Sequence, residues 1–414
     1  MDLIEIGKLA KSSSEELAKL NTEIKNKVLL ESANAILSNK NSILVANKKD
    51  VDNAIEMNIK SAFIDRLTLT EKRIEDMAKG LVNLTSLNDP VGEYIFNKTL
   101  PNGLIIGQKK VPLGVIGIIF ESRPNVAADA FGLCFKSGNA VILRGGKEAV
   151  ESNNAIVKIF QKVLKDNKLP EHSVQVLTDT SRETANRMMK LNDYIDVLIP
   201  RGGASLIETV TKNSNIPCIQ TGVGNCHIFV DESYDIKKAV DIVINAKAQR
   251  PGVCNAAEKL LVHEKIAAEF LPIIGKHLTD NKVEIRGDEA VLSYIKNAIP
   301  AESSDWETEY EDYIIAVKIV KNLNDAITHI NKYNTKHSEA IITENYTNAQ
   351  RFLNEIDAAA VYVNASTRFT DGAQFGFGAE IGISTQKLHA RGPMGLRELT
   401  TTKYVIYGNG QIRE

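Results

Sequence analysis

The chain has 414 residues, which is too long for one hydrophobic core and predicts two or three domains. Apolar residues make up 43% and charged residues 25%, as is typical of globular proteins. The formal net charge of −2 gives no electrostatic reason to expect nucleic acid or an anionic membrane as a partner. The longest apolar run, residues 111–120, is too short to span a bilayer.

The cysteines and the N-terminal segment indicate the cellular setting. Residues 1–20 carry acidic side chains and no continuous apolar stretch, so they resemble neither a signal peptide nor a transit peptide. The four cysteines show no CxxC pairing and no histidine cluster at zinc-ligand spacing, so no metal site is expected. We therefore expect a reduced, cytoplasmic enzyme.

The first ninety residues predict helices, followed by a hairpin. Between residues 17 and 39, apolar side chains recur every three or four positions, as on one face of a helix. Residues 98–110 predict two strands joined at Asn102 and Gly103, a common hairpin turn.

Short β-rich runs then alternate with helical segments. The predicted strands are VIGIIF (115–120), AVILR (140–144), SVQVLT (173–178) and IDVLIP (195–200). Helices are predicted between them, and this alternation indicates a parallel, doubly wound α/β sheet. A second, smaller α/β block follows, with strands LLVH (260–263), YIIAVKIV (313–320) and EAIIT (339–343).

Loops after the strands of the first sheet are the expected ligand sites, because ligands bind at the carboxyl ends of parallel strands. In the loop RGGAS (201–205), Gly202 and Gly203 lead into a helix, where free N–H groups could hold a phosphate. The alternative is that these glycines only permit a tight turn. No G-x-G-x-x-G motif follows a strand here.

One cysteine stands in a setting that favours chemistry. Cys254 follows a Pro-Gly turn in AQRPGVCNAAE (248–258), and the residues after it predict a short helix. A thiol at a turn before a helix N-terminus and near Arg250 is expected to have a lowered pKa and to act as a nucleophile. The alternative is a packing cysteine, which is our interpretation of the other three.

Long stretches of the chain resemble the aldehyde dehydrogenase superfamily, and within it the family of γ-glutamyl phosphate reductases. These stretches are FESRPNVAADA (120–130), AVILRGGKEA (140–149), IPRGGASLI (199–207), AQRPGVCNA (248–256) and the tail from 375 to 408. The resemblance implies an α/β, aldehyde-dehydrogenase-like fold with three parts. They are an NADPH-binding domain (1–228, with a return segment 362–399), a catalytic domain (229–361), and a β oligomerisation arm (98–110 and 400–414).

The resemblance also implies the reaction. It is the NADPH-dependent reduction of L-glutamyl 5-phosphate to L-glutamate 5-semialdehyde with release of phosphate, the second step of proline biosynthesis from glutamate. Cys254 would form a thioester intermediate. Hydrolytic relatives carry a glutamate that activates water, and Thr221 stands at that position here. An NAD(P)-dependent hydrolytic or CoA-acylating aldehyde dehydrogenase stays the alternative.

Further site roles follow from the same resemblance. Asn125, or else Arg123, would donate to the oxyanion formed at the thioester carbon. Glu309, or else Glu311, would hold the nicotinamide ribose.

Basic residues would bind the anionic groups of the cofactor and the substrate. Arg144 and Lys147 are expected to attract the 2′-phosphate of NADPH. The expected substrate-binding cations are Arg123, Lys247, Arg250 and Arg391. A homodimer or homotetramer and an association with glutamate 5-kinase are the expected partnerships.

Overall fold

The computed structural model describes residues 2–59, 61–121 and 123–413. Its helices are α1 (Leu3–Leu17), α2 (Thr22–Ser38), α3 (Lys40–Glu56), α4 (Ser61–Leu67), α5 (Glu71–Thr85), α6 (Asn125–Lys136), α7 (Val150–Asp166), α8 (Arg182–Met188), α9 (Ala204–Asn213), α10 (Ile236–Ala248), α11 (Ala267–Asp280), α12 (Glu289–Leu292), α13 (Leu323–Tyr333) and α14 (Tyr346–Glu355). Its strands are β1 (Tyr94–Thr99), β2 (Ile105–Pro112), β3 (Val115–Phe120), β4 (Ala140–Arg144), β5 (Val174–Val176), β6 (Val197–Arg201), β7 (Cys226–Val230), β8 (Ala257–His263), β9 (Glu284–Gly287), β10 (Ile299–Pro300), β11 (Ile314–Val320), β12 (Ser338–Ile342), β13 (Ala360–Val363), β14 (Ile383–Ser384), β15 (Gly392–Pro393) and β16 (Thr400–Tyr407). Among the residues described, no helix combines the length and apolar character needed to cross a membrane.

The chain forms two compact units. The first comprises Met1–Thr221, Gly376–Gly382 and Met394–Glu414, and the second comprises Gly222–Phe375 and Ile383–Pro393. Strand β7 already belongs to the sheet of the second unit, because it pairs with β8 and β12. The NADPH-binding role predicted for residues 1–228 and the catalytic role predicted for residues 229–361 stay predictions.

A four-stranded parallel sheet, in the order β5-β4-β3-β6, forms the centre of the first unit. All six residues of β3 are buried, because a parallel strand covered on both faces needs an apolar side chain at every position. The strands predicted in this region are confirmed, and α1 to α5 confirm the helices predicted for the first ninety residues.

The predicted hairpin is also confirmed. Strands β1 and β2 pair antiparallel, and Gly103 in their turn has a φ of +88°, a conformation that favours glycine. Strand β16 pairs along the other edge of β2, which completes a three-stranded sheet in the order β1-β2-β16.

The second unit is built on a parallel sheet in the order β10-β9-β11-β8-β7-β12-β13. It uses a shorter stretch of chain than the first unit but has the wider parallel sheet. Apolar side chains pack between one face of the sheet and α10 and α11, and between the other face and α13 and α14. Strand β8 lies inside the sheet, and every one of its residues is buried, including Glu258 and Lys259.

The prediction of a short helix after Cys254 is wrong. Residues 251–256 form bends and a turn, and strand β8 begins at Ala257. Alanine and glutamate favour helix in isolation, but pairing with β7 and β11 in the sheet overrides that weak preference. No helix dipole therefore acts on this thiol from the residues that follow it.

Candidate active site

Cys254 lies half-buried in the turn that connects α10 to β8. The segment leading into β7 packs directly against its backbone, because residue 224 is glycine. A methyl group on Gly224 would overlap the carbonyl carbon and oxygen of Cys254. Two residues further on, the buried Cys226 thiol donates a hydrogen bond to the Cys254 carbonyl oxygen at 3.2 Å. These contacts hold one side of the turn.

The other side of the turn is held through the next residue, Asn255. Its side-chain amide donates to the carbonyl oxygen of Thr370 at 2.9 Å, and its own carbonyl oxygen accepts from the Thr367 hydroxyl at 2.7 Å. The Arg368 guanidinium donates to the Asn255 side-chain oxygen. The backbone on both sides of the Cys254 side chain is thus fixed before any substrate binds, as a preorganised nucleophile requires.

Glu309 belongs to the same neighbourhood. Its carboxylate accepts a hydrogen bond from the Gly224 N–H at 2.7 Å. Burial raises the pKa of the Glu309 carboxyl to about 7, although the bond from Gly224 opposes this rise. Glu311, the alternative for the ribose role, has an exposed side chain, and its backbone N–H donates to Glu258. The geometry therefore favours Glu309 over Glu311 for the ribose role, because Glu309 is bonded to the segment that packs against Cys254.

Two of the expected substrate cations are already paired with carboxylates. The fully buried Lys247 ammonium lies 2.9 Å from Glu258, and Arg391 lies 2.7 Å from Asp357. Because Lys247 stands one helical turn after the buried Val243, it lies on the inward face of α10. Glu258 compensates the Lys247 charge, whereas Asp357 is shared by Lys336, Lys387 and Arg391. Lys247 and Arg391 stay proposals as substrate ligands.

Arg250 has a different environment. It follows the end of α10 in the turn that carries Cys254, and its side chain is exposed to solvent. Among the described residues it forms no ion pair with a carboxylate, unlike Lys247 and Arg391.

In the first unit, the predicted oxyanion residue stands at the start of a helix. Asn125 is the first residue of α6, and its side-chain amide donates to Asp129 at 3.1 Å, one turn further along. Burial raises the pKa of Asp129 to about 6. Arg123 lies half-buried just before the helix. The choice between Asn125 and Arg123 stays open.

The loop that contains Gly202 and Gly203 leads into a helix, as predicted. Gly202 and Gly203 connect β6 to α9, and the Gly203 N–H donates to the Glu121 carboxylate at 3.0 Å. An anion therefore already lies at this helix N-terminus, and it is supplied by the chain itself.

The end of β4 carries the two cations expected for the cofactor phosphate. Arg144 donates to the Thr180 carbonyl oxygen at 2.6 Å, while its Nε is buried without a hydrogen-bond partner among the residues described. Lys147 is exposed, three residues further on. A cofactor phosphate fits these residues, because the Lys147 ammonium is exposed and Arg144 supplies a second cation three residues before it.

The three remaining cysteines are buried or half-buried. Cys134 and Cys226 are buried, and Cys218 is half-buried with its thiol donating to the Ile216 carbonyl oxygen. Within the described ranges, no group of three or more His, Cys, Asp or Glu is arranged to hold a metal ion.

Arg368 is the residue that sequence reasoning missed. It is separated from Asn255 by 113 positions, and the segment STRFTDG carries no motif that points to the Cys254 turn. Only the fold brings the two segments together.

Comparisons with known proteins cover the whole chain. The model of the aldehyde dehydrogenase family matches residues 5–292 and 294–405. The γ-glutamyl phosphate reductase of Clostridium botulinum (strain Eklund 17B / Type B) is 64% identical over 365 residues, 88% of each chain. That of Carboxydothermus hydrogenoformans is 59% identical over 412 residues, 100% of this chain and 99% of the other.

Solved structures show the same likeness. The crystal structure of γ-glutamyl phosphate reductase from Thermotoga maritima superposes with a TM-score of 0.98 at 53% identity and 100% coverage of both chains. An acetylating aldehyde dehydrogenase from Geobacillus thermoglucosidasius gives a TM-score of 0.70 at 17% identity, covering 99% of this chain and 97% of the other. The second likeness concerns the fold alone.

Proposed function

Because the chain belongs to the γ-glutamyl phosphate reductases of the aldehyde dehydrogenase family, we propose that it reduces L-glutamyl 5-phosphate to L-glutamate 5-semialdehyde with NADPH and releases phosphate. This places it at the second step of proline biosynthesis from glutamate. The observation that carries the proposal is the Cys254 turn, whose backbone is held from one side by Gly224 and Cys226 and from the other by Asn255.

In the proposed mechanism, the Cys254 thiolate attacks the carbonyl carbon of the acyl phosphate. The new C–S bond forms as the C–O bond to phosphate breaks, and the phosphate leaves with that bonding pair. The product is a thioester on Cys254, whose carbon accepts hydride more readily than an oxygen ester does. After reduction, the C–S bond breaks and the thiolate returns to its starting state.

NADPH, when bound, supplies the hydride. We propose that Arg144 and Lys147 bind its 2′-phosphate and that Glu309 holds the nicotinamide ribose. The exposed ammonium of Lys147, with Arg144 three residues before it, supports the first of these roles. We also propose that Gly202 and Gly203 approach its phosphates, which requires the Gly203 N–H to exchange its bond to Glu121.

The oxyanion needs donors aimed at the developing charge. Asn125 remains our proposal for the side-chain donor, with Arg123 as the alternative. In the described structure the Asn125 amide donates one N–H to Asp129, and the second N–H of the same NH₂ group is the one that we propose for the oxyanion.

Residue 221 supports reduction over hydrolysis. Thr221 is buried, and its hydroxyl donates to the Pro200 carbonyl oxygen at 2.7 Å. A carboxylate base at that position would direct water to the thioester, and threonine cannot take that role. This argument favours phosphate over water as the group exchanged with the thioester.

We further propose a cytoplasmic enzyme that assembles as a homodimer or homotetramer through the β1-β2-β16 sheet. A functional association with glutamate 5-kinase belongs to the same proposal, because an acyl phosphate is a reactive product that benefits from direct transfer.

The test runs the reaction in reverse, from L-glutamate 5-semialdehyde and NADP⁺, and follows the absorbance of the reduced nicotinamide. We expect turnover to require inorganic phosphate, and neither water nor CoA to replace it. Cys254→Ser should abolish turnover, because a serine hydroxyl is a weak nucleophile without a dedicated base.

Cys218→Ser is the matched control, because it removes a half-buried thiol in the first unit and should retain activity. If folded Cys254→Ser kept more than about a tenth of the wild-type rate, less than ~1.4 kcal/mol of barrier lowering would depend on the thiol. The covalent mechanism would then be wrong.

A further inference from the structure

The Arg368 side chain contacts residues on both sides of Cys254 in the turn that carries it. Its Nε donates to the Gln249 side-chain oxygen at 3.1 Å, and its Nη1 donates to the Asn255 side-chain oxygen. The guanidinium therefore spans the two ends of the segment 249–255. Its Nη2 makes no hydrogen bond among the residues described, so a pair of N–H donors remains available.

The orientation of Asn255 is set so that its oxygen meets Arg368. The Asn255 amide nitrogen donates to the carbonyl oxygens of Thr370 at 2.9 Å and of Arg368 itself at 3.3 Å. Two carbonyl acceptors fix the NH₂ end of the amide, and the oxygen end is left to accept from the guanidinium. The position of Arg368 is thus built into the fold of the second unit.

The positive charge of Arg368 is not neutralised by these contacts. Both of its side-chain partners are neutral amides, and across the described part of the chain no carboxylate pairs with it or with Arg250. Asp371, a nearby carboxylate, instead caps the backbone N–H groups of Ala373 and Gln374.

The guanidinium of Arg250 adds a second positive charge near Arg368. Arg368 is half-buried, and burial, followed by repulsion from Arg250, lowers its pKa below the usual arginine range. Asp371 attracts the Arg368 guanidinium, but this attraction ranks below the repulsion from Arg250. An anion that contacts both guanidinium groups would therefore be favourable.

We infer that Arg368 and Arg250 form the binding site for the phosphoryl group of the substrate. This inference rests on the proposed function, which supplies an acyl phosphate that must place its phosphate beside the sulfur. Two guanidinium groups match a phosphate dianion in charge and offer the bidentate geometry that its oxygens prefer.

The alternative anion is the α-carboxylate of the glutamyl group. It is separated from the reacting carbon by three further carbon atoms, whereas the phosphate is joined to that carbon through one oxygen. Arg368 is hydrogen-bonded to the residue next to Cys254, and Arg250 lies four positions before it in the same turn. The group bonded directly to the reacting carbon is therefore the one that these cations meet.

The experiment measures the KM for inorganic phosphate and the KM for L-glutamate 5-semialdehyde separately in the reverse reaction. Arg368→Gln should raise the phosphate KM at least tenfold and leave the semialdehyde KM within about twofold. Arg250→Gln should raise the phosphate KM severalfold. Arg351→Gln, which removes an exposed arginine paired with Glu355 in α14, is the control and should change neither constant.

Direct titration of inorganic phosphate into wild type and Arg368→Gln separates this inference from the proposed function. If wild type turns over and Arg368→Gln keeps its phosphate KM, the inference is overturned while the function stands. A rise in the semialdehyde KM alone would identify a carboxylate site and also overturn it. The titration still tests the site if wild type shows no phosphate-dependent turnover. Phosphate binding by wild type that is lost in Arg368→Gln would then support the site, and equal binding by the two proteins would reject it.

If Arg368→Gln fails to fold, the phosphate KM of Arg250→Gln tests the inference instead. Arg250 is exposed, so its replacement is expected to leave the fold intact. An unchanged phosphate KM in that folded variant would reject the paired site.

Discussion

At the scale of single residues, the end of β4 determines the expected cofactor preference. Lys147 is exposed and Arg144 is half-buried, so two positive charges are available to a 2′-phosphate. Lys147→Glu replaces an attractive charge with one that repels the phosphate and accepts from a free ribose hydroxyl. We expect the NADPH to NADH ratio of kcat/KM to fall at least tenfold, measured with both cofactors in both proteins.

Lys79→Glu makes the same charge change on α5, where Lys79 is exposed. It should leave the cofactor ratio unchanged. If Lys147→Glu also changed the ratio by less than about twofold, under ~0.5 kcal/mol of discrimination would pass through Lys147. Its assignment to the cofactor would then be dropped.

At the scale of secondary-structure elements, the approach of the β7 segment to the Cys254 turn depends on a residue without a side chain. Gly224→Ala would force a methyl group into the Cys254 carbonyl and push the two backbones apart. Overpacking of this kind destabilises a fold by about 1–3 kcal/mol, and an ångström of displacement at a reacting group can lower the rate about 100-fold. We expect kcat to fall by at least tenfold while the far-ultraviolet circular dichroism spectrum is unchanged.

Gly80→Ala is the matched control, because a methyl group at Gly80 in α5 has only one neighbouring atom, at 3.9 Å. Alanine also favours helix over glycine, so this variant should be fully active and at least as stable. Wild-type kcat in Gly224→Ala would mean that the thiol does not depend on this backbone contact.

At the scale of the whole molecule, the sheet formed by β1, β2 and β16 leaves apolar side chains in solvent. Tyr404 is 62% exposed and Ile406 is 55% exposed, on strand β16 at an edge of the sheet. Exposed apolar strands at a sheet edge invite association with another chain. We expect Ile406→Glu to convert the proposed oligomer into smaller species, measured by size-exclusion chromatography with light scattering.

Lys403→Glu is the control, since side chains alternate along a strand and Lys403 lies on the face opposite Ile406. It should keep the wild-type mass. An Ile406→Glu variant with wild-type mass would show that this face is not the interface.

Much of the fold could be predicted because its signals are local. Strands β3 and β4 match the predicted ranges 115–120 and 140–144 to the residue, since a continuous apolar run between helical segments has few other solutions. The hairpin turn at Gly103 was equally local, because its φ of +88° requires a residue such as glycine. Local propensity failed after Cys254, where strand pairing within the sheet overrode it.

The sequence by itself determined the fold class, the family and the cysteine that stands in a turn between two elements. The tertiary structure alone decided which partner each candidate cation meets. Lys247 meets Glu258, and Arg391 meets Asp357, whereas Arg368 meets the amide of Asn255 across 113 positions. Periodicity and turn signals act over a few residues, but charge compensation depends on distances between side chains that only the folded chain brings together.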